Sequence, residues 1–174
     1  LKGVTTNAIS GTTISIDNYT QAKTFDISVK GTPFRTFKFR NDPDLTEIAF
    51  LGEFTTVDLY GCSILEGIDV STLSDLKSLD VQKCKLQSLD VTHNPALTML
   101  AFSDNKLTGI DLSNNTSLVK LYCNQNLLSK INLTTNTLLQ ELDIAGNKLS
   151  ALNIRNNTAL KYLKVSDNTA LSMV

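Results

Sequence analysis

The side chains best suited to chemistry in this chain are few. They are Cys62, Cys84 and Cys123, a lone histidine, His93, and carboxylates that recur at fixed intervals. A zinc centre needs four converging ligands, or three and a water; this chain has neither C-x-x-C spacing nor a second histidine. One histidine also leaves no nucleophile–histidine–acid set to assemble. Two carboxylate pairs, Asp58 with Asp80 and Glu141 with Asp143, have the composition for acid–base work. On an open strand face, however, nothing excludes water or lifts a carboxyl toward neutrality, so that chemistry is not expected. Asp69, Asp90 and Asp111 form a third acidic series that could gather a divalent cation. It continues as Asn132 and Asn153 and has no glycine-rich Asp loop, which favours a structural role. The glycines are scattered and make no phosphate loop. The sequence therefore predicts no catalytic residue, no metal and no cofactor.

The elements that would position these residues follow from a repeat. Leu-x-x-Leu-x-(Leu/Val/Cys)-x-x-(Asn/Cys)-x-Leu-x-x-(Leu/Ile)-(Asp/Asn)-(Val/Leu)-(Ser/Thr)-x-Asn returns about every 21 residues, cleanly in Leu97–Ser117, Leu118–Leu138 and Leu139–Ala159. Equivalent positions Phe37, Val57, Leu79, Leu100, Leu121, Leu142 and Leu163 are separated by 20, 22, 21, 21, 21 and 21 residues, with the slips placed near Leu45 and Leu65. A fixed period of this size means stacked turns of one superhelix, because no single turn can bury its apolar face alone. The Leu-x-Leu alternation is the two-residue period of a strand with one buried face. Successive turns then stack as parallel strands ~4.8 Å apart.

Three regions are read along the chain. Residues 1–33 lack the repeat and carry two alternating segments, Thr13–Ile16 and Phe25–Val29, closed by Lys30-Gly31-Thr32-Pro33. They are expected to form an N-terminal β cap. Residues 34–75 hold degenerate repeats, opening with Phe34-x-x-Phe37-x-Phe39 and Asp42 in the Asn slot. Residues 76–174 hold the regular ones, with Leu171-x-x-Val174 as the start of a further turn. Cys62 and Cys84 fall in the slot that Asn fills later. They are expected to be small buried thiols replacing that Asn; a disulfide between adjacent turns is the alternative, since neighbouring strands put Cα atoms near ~5 Å.

The totals narrow the functional classes. The chain has 174 residues, enough for one domain with a sizeable core. Its net charge of −1 offers no basic field for nucleic acid. No apolar run approaches the ~18 residues of a membrane span. The start at Leu1, without a signal-peptide pattern, is read as a mature or trimmed form whose targeting segment is not seen.

The stretch Leu118-Val-Lys-Leu121-Tyr-Cys123-Asn-Gln-Asn126-Leu-Leu128-Ser-Lys-Ile131-Asn-Leu133-Thr-Thr-Asn136 resembles bacterial leucine-rich repeats of the short subclass almost slot for slot. The resemblance is strong over about residues 76–170 and weaker over 34–75. It implies a right-handed leucine-rich-repeat solenoid, mainly β with parallel stacked strands and few helices. Proteins it resembles are secreted or envelope-attached, often in Bacteroidetes-like bacteria. The resemblance thus implies an extracellular or envelope location, with any anchor lying in a segment not present here.

Each turn has two halves. Leu121 and Cys123 are expected inward on the first, Ile131 and Leu133 on the second, with Leu118, Leu128 and Leu139 filling corners. At the corners, backbone groups turn inward without a ladder partner, at ~1–3 kcal/mol each if left unpaired. Two Asn columns can satisfy them: Asn105, Asn126, Asn147 and Asn168, and Asn94, Asn115, Asn136 and Asn157.

Outward columns separate scaffold from surface. The second half repeats small polar residues, Asp69, Asp90, Asp111, Asn132 and Asn153 with Ser71, Thr92, Ser113, Thr134 and Arg155, which suggests one structural job such as side-chain bonding along the stack. The first half varies from turn to turn: Thr36, Thr56, Ser78, Met99, Lys120, Glu141, Tyr162; then Lys38, Asp58, Asp80, Ala101, Tyr122, Asp143, Lys164; then Arg40, Tyr60, Gln82, Ser103, Asn124, Ala145, Ser166. A scaffold has no need of that variety. The resemblance places this half on the concave, ligand-facing side. Candidate binding residues are Met99, Lys120, Tyr122, Asn124, Glu141 and Asp143, with Tyr60 and Tyr162. Tyrosine is a favoured anchor because it buries much area at small entropic cost and keeps a polar end. The reading is a non-catalytic module binding protein at the bacterial cell surface. A structural spacer within a larger envelope protein is the alternative, and glycan binding on Tyr60, Tyr122 and Tyr162 is a third. No nucleic acid and no membrane insertion within the chain are expected.

Overall fold

The computed structural model describes residues 8–10, 13–16, 24–28, 35–51, 53–168 and 170–171. Lys30–Pro33, Phe34 and Val174, which carry the expected end of the cap, the first repeat slot and the start of a further turn, lie outside the described residues. The first strands are β1 (Ala8–Ser10), β2 (Thr13–Ile16), β3 (Thr24–Ser28), β4 (Thr36–Phe39) and β5 (Glu47–Leu51). Then follow β6 (Thr56–Asp58), β7 (Ser78–Asp80), β8 (Met99–Ala101), β9 (Lys120–Tyr122), β10 (Glu141–Asp143) and β11 (Tyr162–Lys164). No helix occurs among the described residues.

One sheet runs β1-β2-β4-β6-β7-β8-β9-β10-β11, and a second pairs β3 with β5. Every pairing is parallel except β1 with β2, where the chain folds back at the sheet's first edge. Stacked parallel strands joined by crossing coil are the parallel solenoid that the period requires. The strand register reproduces the columns read from the sequence: Thr36, Thr56, Ser78, Met99, Lys120, Glu141 and Tyr162 pair in succession. The longer step between β6 and β7 is taken up where Leu65 N–H donates to the Cys62 carbonyl at 3.0 Å, a tight turn beside Leu65.

The core is a column of leucines and their substitutes. Leu118, Leu121, Cys123, Leu128 and Leu139 are fully buried, and Leu133 nearly so. The first turns use aromatics instead. Phe37 packs against Phe39, Phe50 and Phe54 with ring centroids 6.5, 5.6 and 6.0 Å away. Ile131 differs from the expectation: it is only partly buried, as are Ile68, Ile110 and Leu152 at its slot. The reason is that the second half from turn to turn is coil rather than strand, so period two no longer aims both of its apolar residues inward. The deeper position belongs to Val70, Val91, Leu112 and Leu133.

The asparagine columns do the work at the corners. Asn126 Nδ2 donates to Phe102 O one turn below at 3.0 Å and to Cys123 O at 3.2 Å, while its Oδ1 accepts Leu107 N–H at 3.0 Å. Asn105, Asn147 and Asn168 repeat this pattern. In the other column, Asn115 Nδ2 reaches Val91 O and Asn94 O, both at 2.9 Å, and Asn136 and Asn157 follow suit. The Oδ1 atoms of this second column are buried without a partner, so it stabilises the corner through its donors alone.

The three cysteines are free and buried. Cys62 Sγ–H points at Phe39 O at 3.3 Å and Cys84 Sγ–H at Leu59 O at 3.5 Å. Each thiol donates to a carbonyl of the turn below, as Asn Nδ2 does in later turns.

Candidate functional site

The strand face is built from β4 and β6 to β11, and the paired register sets which side chains meet there. At its centre, Lys120 in β9 and Glu141 in β10 are directly paired residues, and Lys120 Nζ lies 2.8 Å from Glu141 Oε1. The other Glu141 oxygen accepts the Tyr122 hydroxyl. Glu141 is therefore held by an ammonium and a phenol at once, and both hold its carboxyl below the ordinary value. Partial burial, then the bond to Glu141, push the Tyr122 hydroxyl up to about 12. The Tyr122 ring is thus fixed by its own hydroxyl rather than free to swing.

Asp143 sits beside them and pairs with Lys164 in β11 at 3.5 Å. Asn124 accepts a hydrogen bond from the Ser103 hydroxyl in the turn below. Met99 is the register partner of Lys120 and is half-buried. Tyr162 is 49% exposed at the β11 edge. Tyr122, Gln140, Glu141, Asp143, Lys161 and Tyr162 line one shallow depression of about 450 Å³. The structure thus brings Met99, Lys120, Tyr122, Asn124, Glu141, Asp143 and Tyr162 onto neighbouring turns.

Tyr60 is not part of that group. It lies toward the other end of the face, with the Arg40 guanidinium 5.5 Å from its ring centroid and Lys83 Nζ at 5.2 Å. Arg40 is itself clamped by Asp58, with Nε at 2.8 and 2.7 Å from the two carboxylate oxygens and Nη2 at 2.7 Å. Arg40 and Lys83 are not among the candidate residues, and Asp58 enters only as half of an acid pair; the sequence places Arg40 one turn below Tyr60 in the same column and Lys83 next to Gln82 one turn above, but not the contact of their charges with the ring. Asp80 pairs in register with Asp58 and forms no ion pair among the described residues. Burial raises its carboxyl above the ordinary value, against bonds from the Gln82 backbone and amide.

Several acids of this face also have a local job. Asp58, Asp80 and Asp143 each accept the N–H two residues on, from Tyr60, Gln82 and Ala145 at 3.3, 3.1 and 3.1 Å. The uniform second-half column does the same. Asp69, Asp90, Asp111, Asn132 and Asn153 accept the N–H of Ser71, Thr92, Ser113, Thr134 and Arg155 at 2.9 to 3.1 Å. Its job lies within each turn, whereas the sequence pattern suggests bonding along the stack. A short polar side chain bonding its own backbone two residues on makes the tight turn the coil needs. On this outer face the bonds along the stack come from Asn114 and Asn156, whose amides reach Thr92 O and Thr134 O, each at 3.0 Å.

Comparisons with known proteins bear on the fold. No protein-family model and no curated protein matches the sequence. Among solved structures, the chain is similar to the functional domain of InlJ from Listeria monocytogenes, described as including a cysteine ladder. That likeness has a TM-score of 0.57 at 22% identity and covers 80% of this chain and 40% of that one. An internalin, InlF, from the same organism matches with a TM-score of 0.62 at 18% identity, over 81% of this chain and 54% of that one. A leucine-rich-repeat protein of Leptospira interrogans matches with a TM-score of 0.52 at 14% identity, over 78% and 49%. The chain spans about half the length of these structures or less. At these identities the likeness establishes the fold: a leucine-rich-repeat solenoid, shared with bacterial proteins.

Proposed function

We propose that this solenoid is a non-catalytic binding module that engages a protein partner through its strand face, outside the cytoplasm. The observation that carries the reading is the division of labour between the two halves of each turn. The outward Asp and Asn column of the second half is spent on its own backbone, and the asparagines beside it on the backbone of the turn below. First-half columns instead present a changing series of Met99, Lys120, Tyr122, Asn124, Glu141 and Asp143 in fixed register. Tyr122 is pinned by Glu141, which is pinned by Lys120, so the centre of the patch is ordered before any partner arrives. Such preorganisation lowers the entropic cost of association. The open face neither excludes water nor gathers a nucleophile with a base, which argues against catalysis. The likeness to internalins and the sequence resemblance to envelope-attached repeats support the location.

The test is to capture partners from surface extracts with the intact chain and then to measure affinity with variants. Tyr122→Ala is expected to weaken binding by at least ~1 kcal/mol with little change in the unfolding midpoint. Asp111→Ala, which removes an internal turn bond, is expected to leave affinity intact and lower stability. Affinity that follows Asp111 and ignores Tyr122 overturns the assignment of the face.

A further inference from the structure

A groove of about 690 Å³ opens on the second-half wall of the first turns, between β5 and the coil of the turn that follows. Glu47 and Ile48 form one side of it, and Ile64, Glu66, Ile68 and Asp69 the other. It shares no residue with the patch around Tyr122. Ile48 is buried, Ile64 and Ile68 are half-buried, and the three acids are exposed. A Cβ added at Gly67 would meet nothing within 4 Å, so the rim is open there.

β5 is paired on one edge only, with β3. Its other edge faces the following turn, which is coil at this height. Among the described residues no backbone hydrogen bond crosses from β5 to that coil. A side-chain bond, from the Thr72 hydroxyl to Phe50 O at 3.5 Å, covers the far end. A strand edge with unpaired N–H and C=O groups is a template for another strand. Later turns offer no such edge among the described residues, because their second halves are coil.

The charge of the groove has one sign. Glu47, Glu66 and Asp69 form no ion pair among the described residues, whose ion pairs all lie on the strand face. Lys85 reaches this stretch through its backbone N–H, which donates to Leu65 O at 2.8 Å, and its ammonium pairs with none of the three acids. Beyond the rim, Asp90 and His93 act on Asp69 with opposite signs, so the surplus stays negative. The acids are spread along the groove: among the described residues no three acidic, histidine or cysteine side chains converge as metal ligands. A small cation would also leave the strand edge and the isoleucines unused. A nucleic acid or an acidic segment would be repelled.

We infer that this groove docks an extended, basic segment of a partner protein, added as a strand to the free edge of β5. Backbone bonds to β5 hold the segment. Its alternate side chains point to opposite faces, so one set lies on Ile64 and Ile68 while lysines or arginines of the other reach Glu47, Glu66 and Asp69. The inference does not rest on the strand-face reading, because the two surfaces belong to different halves of the turn.

The test is titration of the intact chain, by calorimetry and NMR, with eight-residue capped peptides that alternate lysine with valine, lysine with isoleucine, or arginine with valine. At least one is expected to bind saturably below ~1 mM and to shift the amides of β5 and of the Ile64–Asp69 coil. An alternating glutamate–valine peptide is expected not to bind. Glu47→Gln with Glu66→Gln is expected to weaken the basic peptide about 5-fold, as two exposed ion pairs would, and the affinity should fall as salt rises. N-methylation of every valine, or else of every lysine, removes the N–H groups of one peptide edge. One of these two forms is expected to bind at least ~10-fold more weakly. Tyr122→Ala leaves the peptide affinity unchanged, and circular dichroism confirms that each variant is folded. The inference is overturned by absence of saturable binding across the three peptides, or by affinity indifferent to Glu47 and Glu66. It is overturned equally if neither methylated form is weakened, since the acids would then attract cations with no strand added and serve only to guard the edge. Each of these results leaves the strand-face reading intact, because that reading is decided by Tyr122.

Discussion

The chain's least conspicuous nucleophiles show how single residues serve the stack. Cys62 and Cys84 stand where later turns have Asn, and each spends its thiol proton on a carbonyl of the turn below. A thiolate there would lose that bond and sit without water. Burial accordingly pushes Cys62 up to about 11 and Cys84 up to about 12, from an ordinary 9.0. A group whose folded-state value is raised gives stability that is complete below its unfolded value and is lost as pH rises through the folded one. The stability the thiols confer is thus expected to be constant up to about pH 9 and to fall through 11 and 12. Urea midpoints measured from about pH 8 to about pH 11 should decline more steeply for the native chain than for a Cys62→Ala, Cys84→Ala variant. The variant starts lower, so slopes are compared and not absolute midpoints. Parallel slopes would mean that the two thiols are not differentially protonated by folding. The same comparison separates them from tyrosines and lysines that titrate in that range, since both chains share those.

At the scale of the strand and its following coil, the two halves of a turn carry unequal energy. Leu121 on β9 is completely buried between β8 and β10, and Leu121→Ala is expected to cost ~2–5 kcal/mol through the cavity it leaves. Ile131 lies on the coil half and is partly exposed, so Ile131→Ala is expected to cost about 1–2 kcal/mol. Urea unfolding checks both, and equal costs would mean that the coil wall is packed as tightly as the sheet. Sequence periodicity gave no hint of that inequality, because Leu-x-Leu and Ile-x-Leu look alike in a pattern. What the pattern did reveal was the register. Once Leu100, Leu121 and Leu142 are equivalent, Met99, Lys120 and Glu141 must be neighbours, and they are. It also revealed the asparagine corners, because Asn is one of few side chains able to donate and accept in so small a space. Rotamers were beyond its reach. Neither the stacking of Tyr60 on Arg40 and Lys83 nor the link from Tyr122 to Glu141 follows from column membership. A further slot went unread: Asn41, Gly61, Lys83, Asp104, Gln125, Gly146 and Asp167 all adopt φ between 53° and 80°. Each directly precedes the Asn, Cys or Asp of the corner. Its signal is the run of Asn, Gly and Asp, residues that tolerate left-handed backbone, but Lys83 and Gln125 break that run.

Among the described residues the molecule is a one-dimensional array, in which each turn bonds the turns beside it. In such an array, stability is close to a sum of turn and interface contributions. Leu118–Leu138 is one full period, and its removal joins Ser117 to Leu139 at equivalent positions. Glu141 then pairs with Met99 where Lys120 did, and the Asn147 amide reaches Phe102 O where Asn126 did. The shortened chain is expected to fold cooperatively, with the same circular dichroism per residue and a lower urea midpoint. Removal of Leu118–Thr134, four residues short of a period, places Thr135 after Ser117 and shifts every later leucine off its column. An offset of four, which is not a whole period, sets strand leucines against corner and coil slots of the turn below, so the later turns lose their matched packing and asparagine bonds. That chain is expected to lose its cooperative transition. Circular dichroism and urea melts of the two deletions decide the matter. If the full-period deletion unfolds and the shorter one does not, then length, and not the repeating register, governs the stability of the stack.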